Sequence, residues 1–317
     1  MKILFTADWH IKLGQKNVPV DWQKTRFYEF YTHLNDLIEK HKIELLVLGG
    51  DTFDRVPSIE ELSLFFEFLH QVNQSVAILI YPGNHEAIKK GTTFLTSLKL
   101  VTRKINCNAT ILDDYTRIEN MDFIPYNKLK EFQPDDFSGE ILFTHVRGEI
   151  PPHVKPEINL DLFNKWKLVL AGDLHSHSNT QRNIVYPGSP MTTSFHRKLV
   201  DTGVIVFDNC TLDWFVEPLE VRQLIRKTVN SPKDMIKTEY HHTVYELEGD
   251  IGELANVQAT ELLDKKVVQK DSQATLTFRK DMSISDELSL YLTEILNIEP
   301  TKVQKVVEAF NDSIKNT

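Results

Sequence analysis

Residues 167–177 read KLVLAGDLHSH, an apolar run that ends on glycine and delivers Asp173, His175 and His177 into the turn beyond it. The run has the length and composition of a buried strand. Four earlier runs of the same kind end in the same way. KILFTA (2–7) leads to Asp8 and His10, ELLVLGG (44–50) to Asp51 and Asp54, AILIYPG (77–83) to Asn84 and His85, and EILFTH (140–145) closes on His145. Loops at the carboxyl ends of strands converge above an α/β sheet, and ligands bind there. Glycines before Asp51, Asn84 and Asp173 are expected to let the backbone turn sharply. A single histidine is usually structural or solvated, which is the reading for His33, His41, His70, His153, His196, His241 and His242. Five polar groups in order, each directly after an apolar strand, point instead to a metal site.

Between these strands the pattern is helical. A helix opens at Asp21, as N-cap, and turns Phe27, Phe30, Leu34, Leu37 and Ile38 to one face. A second begins at Ser58, where Ser58 and Glu61 have capping-box spacing, and carries Leu62, Phe65, Phe66 and Leu69 inward. NIVYPGS (183–189) and GVIVFDN (203–209) follow without helices of comparable length, so the pairing there should be partly antiparallel. An α/β sandwich fits this order better than a doubly wound sheet.

After EPLEV (217–221) the pattern changes. Arg222, Arg226, Lys227, Lys233 and Lys237 make a basic stretch, for which a solvated face is a simpler account than a DNA surface. HTVYELEG (242–249) and ATLTFRK (274–280) read as strands around a helix near 252–264. From Ser283 the chain reads as two helices split at Glu299–Pro300. One has the stripe Leu288, Tyr291, Leu292, Ile295 and Leu296; the other has Val303, Val306, Val307, Phe310 and Ile314. The stripes suit packing on the chain's own domain, or a partner's groove. The expected division is a main domain over 1–217, a small α+β cap over 218–282 and a helical partner-binding segment over 283–317.

With 317 residues, 41% hydrophobic and 26% charged, the composition is that of a soluble globular protein with a large and a small domain. Cys107 and Cys210 lie far apart without metal-type spacing, which suits a reducing compartment. The N-terminal apolar run is too short for a signal peptide and no stretch could span a bilayer, so a cytoplasmic protein without membrane partners is expected. The net charge of −9 argues against strong unaided binding to nucleic acid. It does not exclude a phosphodiester substrate, because carboxylate-rich metal sites are themselves acidic.

Carboxylate, imidazole and amide oxygen together suit a mid-series divalent ion such as Mn²⁺, Fe²⁺ or Zn²⁺ better than Ca²⁺. Without cysteine, a structural zinc site is not expected. The donors exceed what one ion can use, and a carboxylate such as Asp51 can bridge two ions about 3.5–4 Å apart. One ion would take Asp8, His10, Asp51 and His175; the other would take Asp51, Asn84, His145 and Asp173.

DWH, GDTFD, GNHE, FTH and GDLH resemble the five-motif signature of the calcineurin-like metallophosphoesterases. The resemblance implies a two-sheet α/β/β/α sandwich with a dinuclear metal centre. The early DWH, PSIEEL (57–62), YPGSP (186–190), the cap and the helical C-terminus are similar to SbcD-type nucleases of DNA recombination and repair. The compact length is in keeping with a bacteriophage-type member. The resemblance implies cleavage of DNA, as exonuclease or endonuclease, with two ions, Mn²⁺ foremost and Mg²⁺ or Fe²⁺ as alternatives. His85 would protonate the leaving oxygen, with Asp54 or Glu86 orienting it. The C-terminal helices would grip the coiled-coil base of an SbcC-type ATPase; homodimerisation is left open. One departure stands out: the family's fifth motif is Gly-His-x-His, whereas here Asp173 holds the first position and His175 the last. Aspartate is the harder ligand and shifts preference toward Mn²⁺ or Mg²⁺. His177 falls outside the motif, and Asp54 with Arg55 reads as a pair bracing the loop. A phosphomonoesterase or small-nucleotide phosphodiesterase is the nearest alternative, since fold does not fix substrate. A DNA-end-binding scaffold with a vestigial metal site is the other, disfavoured by the complete ligand set.

Overall fold

The structure is a computed structural model and describes residues 1–89, 91–268 and 282–315. In chain order its strands are β1 (Lys2–Thr6), β2 (Leu45–Gly49), β3 (Ala77–Tyr81), β4 (Ala87–Lys89), β5 (Thr92–Thr93), β6 (Ala109–Ile111), β7 (Thr116–Ile118) and β8 (Met121–Ile124). They continue with β9 (Ile141–His145), β10 (Leu168–Gly172), β11 (Ile184–Val185), β12 (Gly203–Asp208), β13 (Trp214–Pro218), β14 (Leu224–Val229), β15 (His242–Gly249) and β16 (Leu263–Val268). The helices are α1 (Val20–His41), α2 (Ile59–Gln71), α3 (Leu95–Ile105), α4 (Ile251–Ala255), α5 (Ile284–Glu294) and α6 (Pro300–Lys315).

Two sheets form the sandwich. The first is six-stranded, β13-β12-β1-β2-β3-β6, and the second is five-stranded, β11-β10-β9-β8-β7. Their inner faces meet through Ile3, Phe5, Val47 and Tyr81 on one side and Phe123, Phe143 and Leu170 on the other, with the Phe5 and Phe143 rings 5.6 Å apart. Because strand side chains alternate, Leu4, Leu46, Leu48, Ile78 and Ile80 face the opposite way, onto Phe27, Phe30, Leu34, Phe65 and Phe68 of α1 and α2. Both faces are therefore buried, which is why these strands read as unbroken apolar runs. Each such side chain contributes about 1.5–3 kcal/mol on burial. The outer face of the second sheet is covered by Phe132, Phe163 and Trp166 from loops and 3-10 turns, the longest being Leu160–Lys165. The expected sandwich is present, with this outer layer built of turns instead of long helices.

Local details depart from expectation in three places, at the start of α1, along α2 and in the stretch after β15. Helix α1 starts at Val20 after Pro19, so Asp21 sits in its first turn and is not the cap; there its charge complements the helix dipole. Helix α2 has the capping box of Ser58 and Glu61, but it buries Leu64, Phe65, Phe68 and Leu69, while Leu62 and Phe66 pack at the edge. The two later runs pair partly antiparallel, as expected: GVIVFDN is antiparallel to β1, and NIVYPGS supplies the two-residue β11, parallel to β10. The helix expected near 252–264 is reduced to Ile251–Ala255, and Leu263–Val268 forms a strand beside β15. Gly252, Asn256 and Thr260 are weak helix formers, and the edge of β15 has backbone groups to satisfy. The run ATLTFRK lies outside the described residues.

The chain divides into two compact units, Met1–Glu248 with Val257–Lys266, and Gly249–Asn256 with Val267–Thr317. The boundary expected at 217/218 falls inside the first of them. Three of the basic residues after 221 are occupied: Arg222 bonds Glu29 at 2.7 Å, Arg226 pairs with Asp264 at 2.8 Å, and Lys237 lies 3.8 Å from Glu261. A paired and solvated face accounts for them. Both cysteines are free and exposed, and among the described residues no helix is long and apolar enough to cross a membrane.

Candidate metal centre

Strand register brings the polar ends together. Across β9 and β10 His145 pairs with Gly172, so Asp173 emerges beside His145; across β2 and β3 Gly49 pairs with Tyr81. Between Asp8 and His10 the buried Trp9 is the anchor. Its Nε1 donates to Thr6 Oγ1 at 2.9 Å, and its ring meets Phe30 and Phe68 edge-on at 4.9 and 4.8 Å. Phe53 plays the same part between Asp51 and Asp54, its ring 5.3 Å from Phe65. Apolar side chains thus alternate with ligand candidates, one set packed against the core and the other left for chemistry.

The backbone is strained where those candidates sit. Asp8, His10, Asp51 and Asp173 all have left-handed φ, at 57°, 45°, 50° and 101°. Such conformations cost about 1–3 kcal/mol each and persist only where the surroundings hold them. The preceding glycines serve a different purpose from sharp turning in two of three cases. Only Gly50 has positive φ. At Gly83 an added Cβ would lie 2.2 Å from Asp51 Oδ1, and at Gly172 one would lie 2.5 Å from the Gly49 carbonyl and 2.6 Å from His145 Nδ1. These two permit close approach.

Three groups of possible donors overlap: Asp8, His10 and His175; His10, Asp51 and His85; and Asp8, Asp51 and His145, with the donor atoms of each group within 4.8 Å of one another. Asp51 Oδ2 is central, 3.5 Å from His145 Nε2, 3.7 Å from His10 Nε2 and 3.9 Å from His85 Nε2. His10 Nε2 and His175 Nε2 are 3.0 Å apart. The inner end of the Asn84 amide lies 3.0 Å from His145 Nε2, 3.1 Å from Asp51 Oδ2 and 3.2 Å from Asp173 Oδ1. All seven expected ligands are therefore gathered at one point. His177 belongs to none of the three groups; it opens the turn His177–Asn179 and lines a cavity of about 550 Å³ beside His175.

Electrostatics show why the cluster suits cations. Burial pushes the Asp8 carboxyl well up, Asp51 and Asp173 add to this, and His145 opposes it. For Asp51 burial also pushes upward, but the charge of His145 and its bond to it prevail and hold the carboxyl below the usual range. His145 is itself raised: burial opposes its charge, and Asp51, Asp8 and Asp173 outweigh burial. Burial lowers His10 to about 3 and also lowers His175, so both imidazoles are neutral at pH 7, the form that coordinates metals. His10 Nδ1 is buried without a hydrogen-bond partner among the described residues. Three clustered carboxylates, neutral imidazoles and an amide end facing two carboxylates form a donor set that fits divalent ions.

His85 and Asp54 meet differently from expectation. His85 Nδ1 contacts the Asp54 backbone carbonyl at 2.6 Å, while the Asp54 carboxylate pairs with Lys12 at 2.7 Å and with Arg55 at 3.6 Å. Glu86 does not orient His85. It is fully buried, raised to about 7 by burial, and accepts from the backbone N–H groups of Asp51, Phe53 and Gly83 at 3.0, 2.8 and 2.8 Å. It ties two ligand loops together.

Sequence reasoning missed Arg147, whose guanidinium forks onto Asp173 with Nε 3.1 Å from Oδ2 and Nη2 3.3 Å from Oδ1. A signal was available: Arg147 follows His145 at the two-residue spacing that separates Asp8 from His10 and Asp173 from His175. It also missed Ser189, in YPGSP, whose Oγ donates to the Asp8 carbonyl at 2.7 Å.

Residues 1–199 match the family model described as calcineurin-like phosphoesterase. "Probable exonuclease subunit 1" of Escherichia phage T5 is 38% identical over 320 aligned residues, covering 97% of each chain. The D component of the nuclease SbcCD of Staphylococcus epidermidis is 29% identical over 291 aligned residues, covering 78% of this chain and 73% of that one. Matched by the family model over more than half its length, and by a relative over nearly all of it, the chain belongs to the calcineurin-like phosphoesterase family.

Proposed function

We propose that the chain is the nuclease component of a two-component enzyme, hydrolysing DNA phosphodiester bonds with two divalent ions, of which Mn²⁺ suits the donors best and Mg²⁺ or Fe²⁺ are alternatives. The observation that carries this reading is the convergence of seven donor side chains from five strand ends. The names of the relatives, an exonuclease subunit and a component of a nuclease, support DNA as substrate and a partner chain. Asp8, His10, Asp51 and His175 would hold one ion and Asp51, Asn84, His145 and Asp173 the other. The central position of Asp51 Oδ2 among three imidazoles suits a bridging role. When bound, the ions would neutralise the phosphate oxygens and acidify a water as nucleophile.

His85 acts on the leaving side. Its Nδ1–H donates to the Asp54 carbonyl, which sets the ring so that Nε2 faces the cluster, 3.9 Å from Asp51 Oδ2. From there it can give a proton to the departing sugar oxygen. Asp54 contributes by that carbonyl, as a positioning residue. In this reading residues 1–217 carry the chemistry, 218–282 form the cap, and 283–317 bind an SbcC-type ATPase in the host cytoplasm. Exposed Tyr291 and Val306 on the terminal helices, with Leu296 in the turn between them, support the last assignment.

The test is purified protein with Mn²⁺ on end-labelled duplex and single-stranded DNA, beside p-nitrophenyl phosphate mono- and diesters. Label released from DNA by the wild type and lost with Asp51→Asn is the expected result. Hydrolysis confined to the monoester would favour a phosphomonoesterase, and bound metal without any hydrolysis a scaffold.

A further inference from the structure

Arg147 has no part in the function proposed above. Its guanidinium engages both oxygens of the Asp173 carboxylate, and the register of β9 with β10 makes this encounter a consequence of the fold. The Asp173 side chain is 5% exposed and that of Arg147 45% exposed, so the arginine approaches a buried carboxylate from the solvent side. The same Asp173 Oδ1 lies 3.9 Å from His145 Nε2 and 3.2 Å from the amide end of Asn84. The arginine is steadied at its base, where its backbone N–H donates to Glu157 Oε1 at 3.3 Å, and Glu157 Oε2 accepts from the Tyr126 hydroxyl at 3.0 Å. An aspartate at position 173 adds a negative charge that an imidazole would not, and a guanidinium, which stays protonated, offsets it.

We propose that Arg147 is an internal counter-cation for Asp173, holding the oxygens that an ion needs in the metal-free protein and competing with divalent ions for them. This rests on the assignment of Asp173 as a ligand. Two effects oppose each other when Arg147 is removed. Asp173 loses a support, which weakens ion binding, and the ion loses a repelling charge, which strengthens it. Repulsion prevails because it scales with the ion's double charge at short range, whereas a guanidinium that is itself half-exposed adds little order to the carboxylate it meets.

The experiment is a Mn²⁺ titration of the metal-free protein by calorimetry, with melting temperatures recorded with and without Mn²⁺, on wild type, Arg147→Gln and Arg147→Lys. Arg147→Gln should melt lower than wild type without metal, bind its weaker ion about tenfold more tightly, and gain more from Mn²⁺ in melting temperature. Arg147→Lys, which keeps the charge, should bind Mn²⁺ like the wild type. Equal lowering of both melting temperatures with unchanged affinity would make Arg147 purely structural and overturn the proposal. So would a raised KM on ester substrates with unchanged affinity, the mark of a phosphate contact, or an Arg147→Lys variant that behaves like Arg147→Gln. Wild-type protein that binds no divalent ion would overturn the functional reading as well.

Discussion

The sandwich and the terminal helix pair treat their apolar side chains differently. In the first unit Phe5, Phe27, Phe30, Phe65 and Phe143 are wholly buried; among the described side chains of α5 and α6 only Leu292 and Val303 are buried, while Tyr291 and Val306 are 44% and 45% exposed and Leu296, in the turn between the helices, is 50% exposed. A filled core can hold four ligand candidates in left-handed conformations, because the surrounding packing outweighs their strain. The helix pair relies on local devices, the Ser283–Asp286 capping box and the bond from Ser285 Oγ to Asn311 Oδ1 at 2.5 Å. Helices of this length gain most of their stability from tertiary packing, and the function proposed above gives their exposed side chains a partner. One unit holds the donor cluster; the other carries exposed apolar side chains.

The sharpest way to break that comparison is at Asp51. Asp51→Asn should lower cleavage on the order of 10³-fold, the scale of losing a group that organises transition-state charge. Its melting temperature without metal should fall modestly at neutral pH, because a carboxyl held below its usual range by His145 stabilises the fold when ionised. An unchanged or raised melting temperature would mean that repulsion among the clustered carboxylates outweighs that pairing. His85→Gln should lower the rate by roughly 10²-fold with metal content unchanged, measured by elemental analysis beside the assay; cleavage at the wild-type rate would remove His85 from the mechanism. Gly83→Ala asks how tightly the core sets the site. A Cβ 2.2 Å from Asp51 Oδ1 should cost about 1–3 kcal/mol and weaken metal binding, both visible in melting curves with and without Mn²⁺.

The helix pair is tested by Tyr291→Asp with Val306→Asp. Both side chains are half-exposed, so thermal stability should change by no more than about 0.5 kcal/mol per substitution. Co-purification with an ATPase partner should be lost; a collapse in melting temperature would instead make the stripe a core. The smallest effect is expected of His177→Ala, which should leave a Mn²⁺ titration unchanged.

Much of the fold was readable because its signals are local. Buried runs ending in glycine, aspartate or histidine marked β1, β2, β3, β9 and β10, and the spacing of Ser58 and Glu61 marked the start of α2. Local signals misled where two elements competed for the same residues. Asp21 looked like a cap although Pro19 already ends the loop, and residues 263–268 are claimed by the edge of β15.

The candidate site divides in the same way. Residue types and their order along the chain determined which side chains could bind metal, because donor chemistry belongs to each residue and strand ends are visible as breaks in hydrophobicity. Only the tertiary structure decided that Asp51 is central, that Glu86 ties the loops of Asp51 and Gly83, that His85 leans on a carbonyl, and that Arg147 lies on Asp173. Each depends on distances of a few ångströms between residues far apart in sequence. Those distances follow from strand register and core packing, which no local pattern encodes.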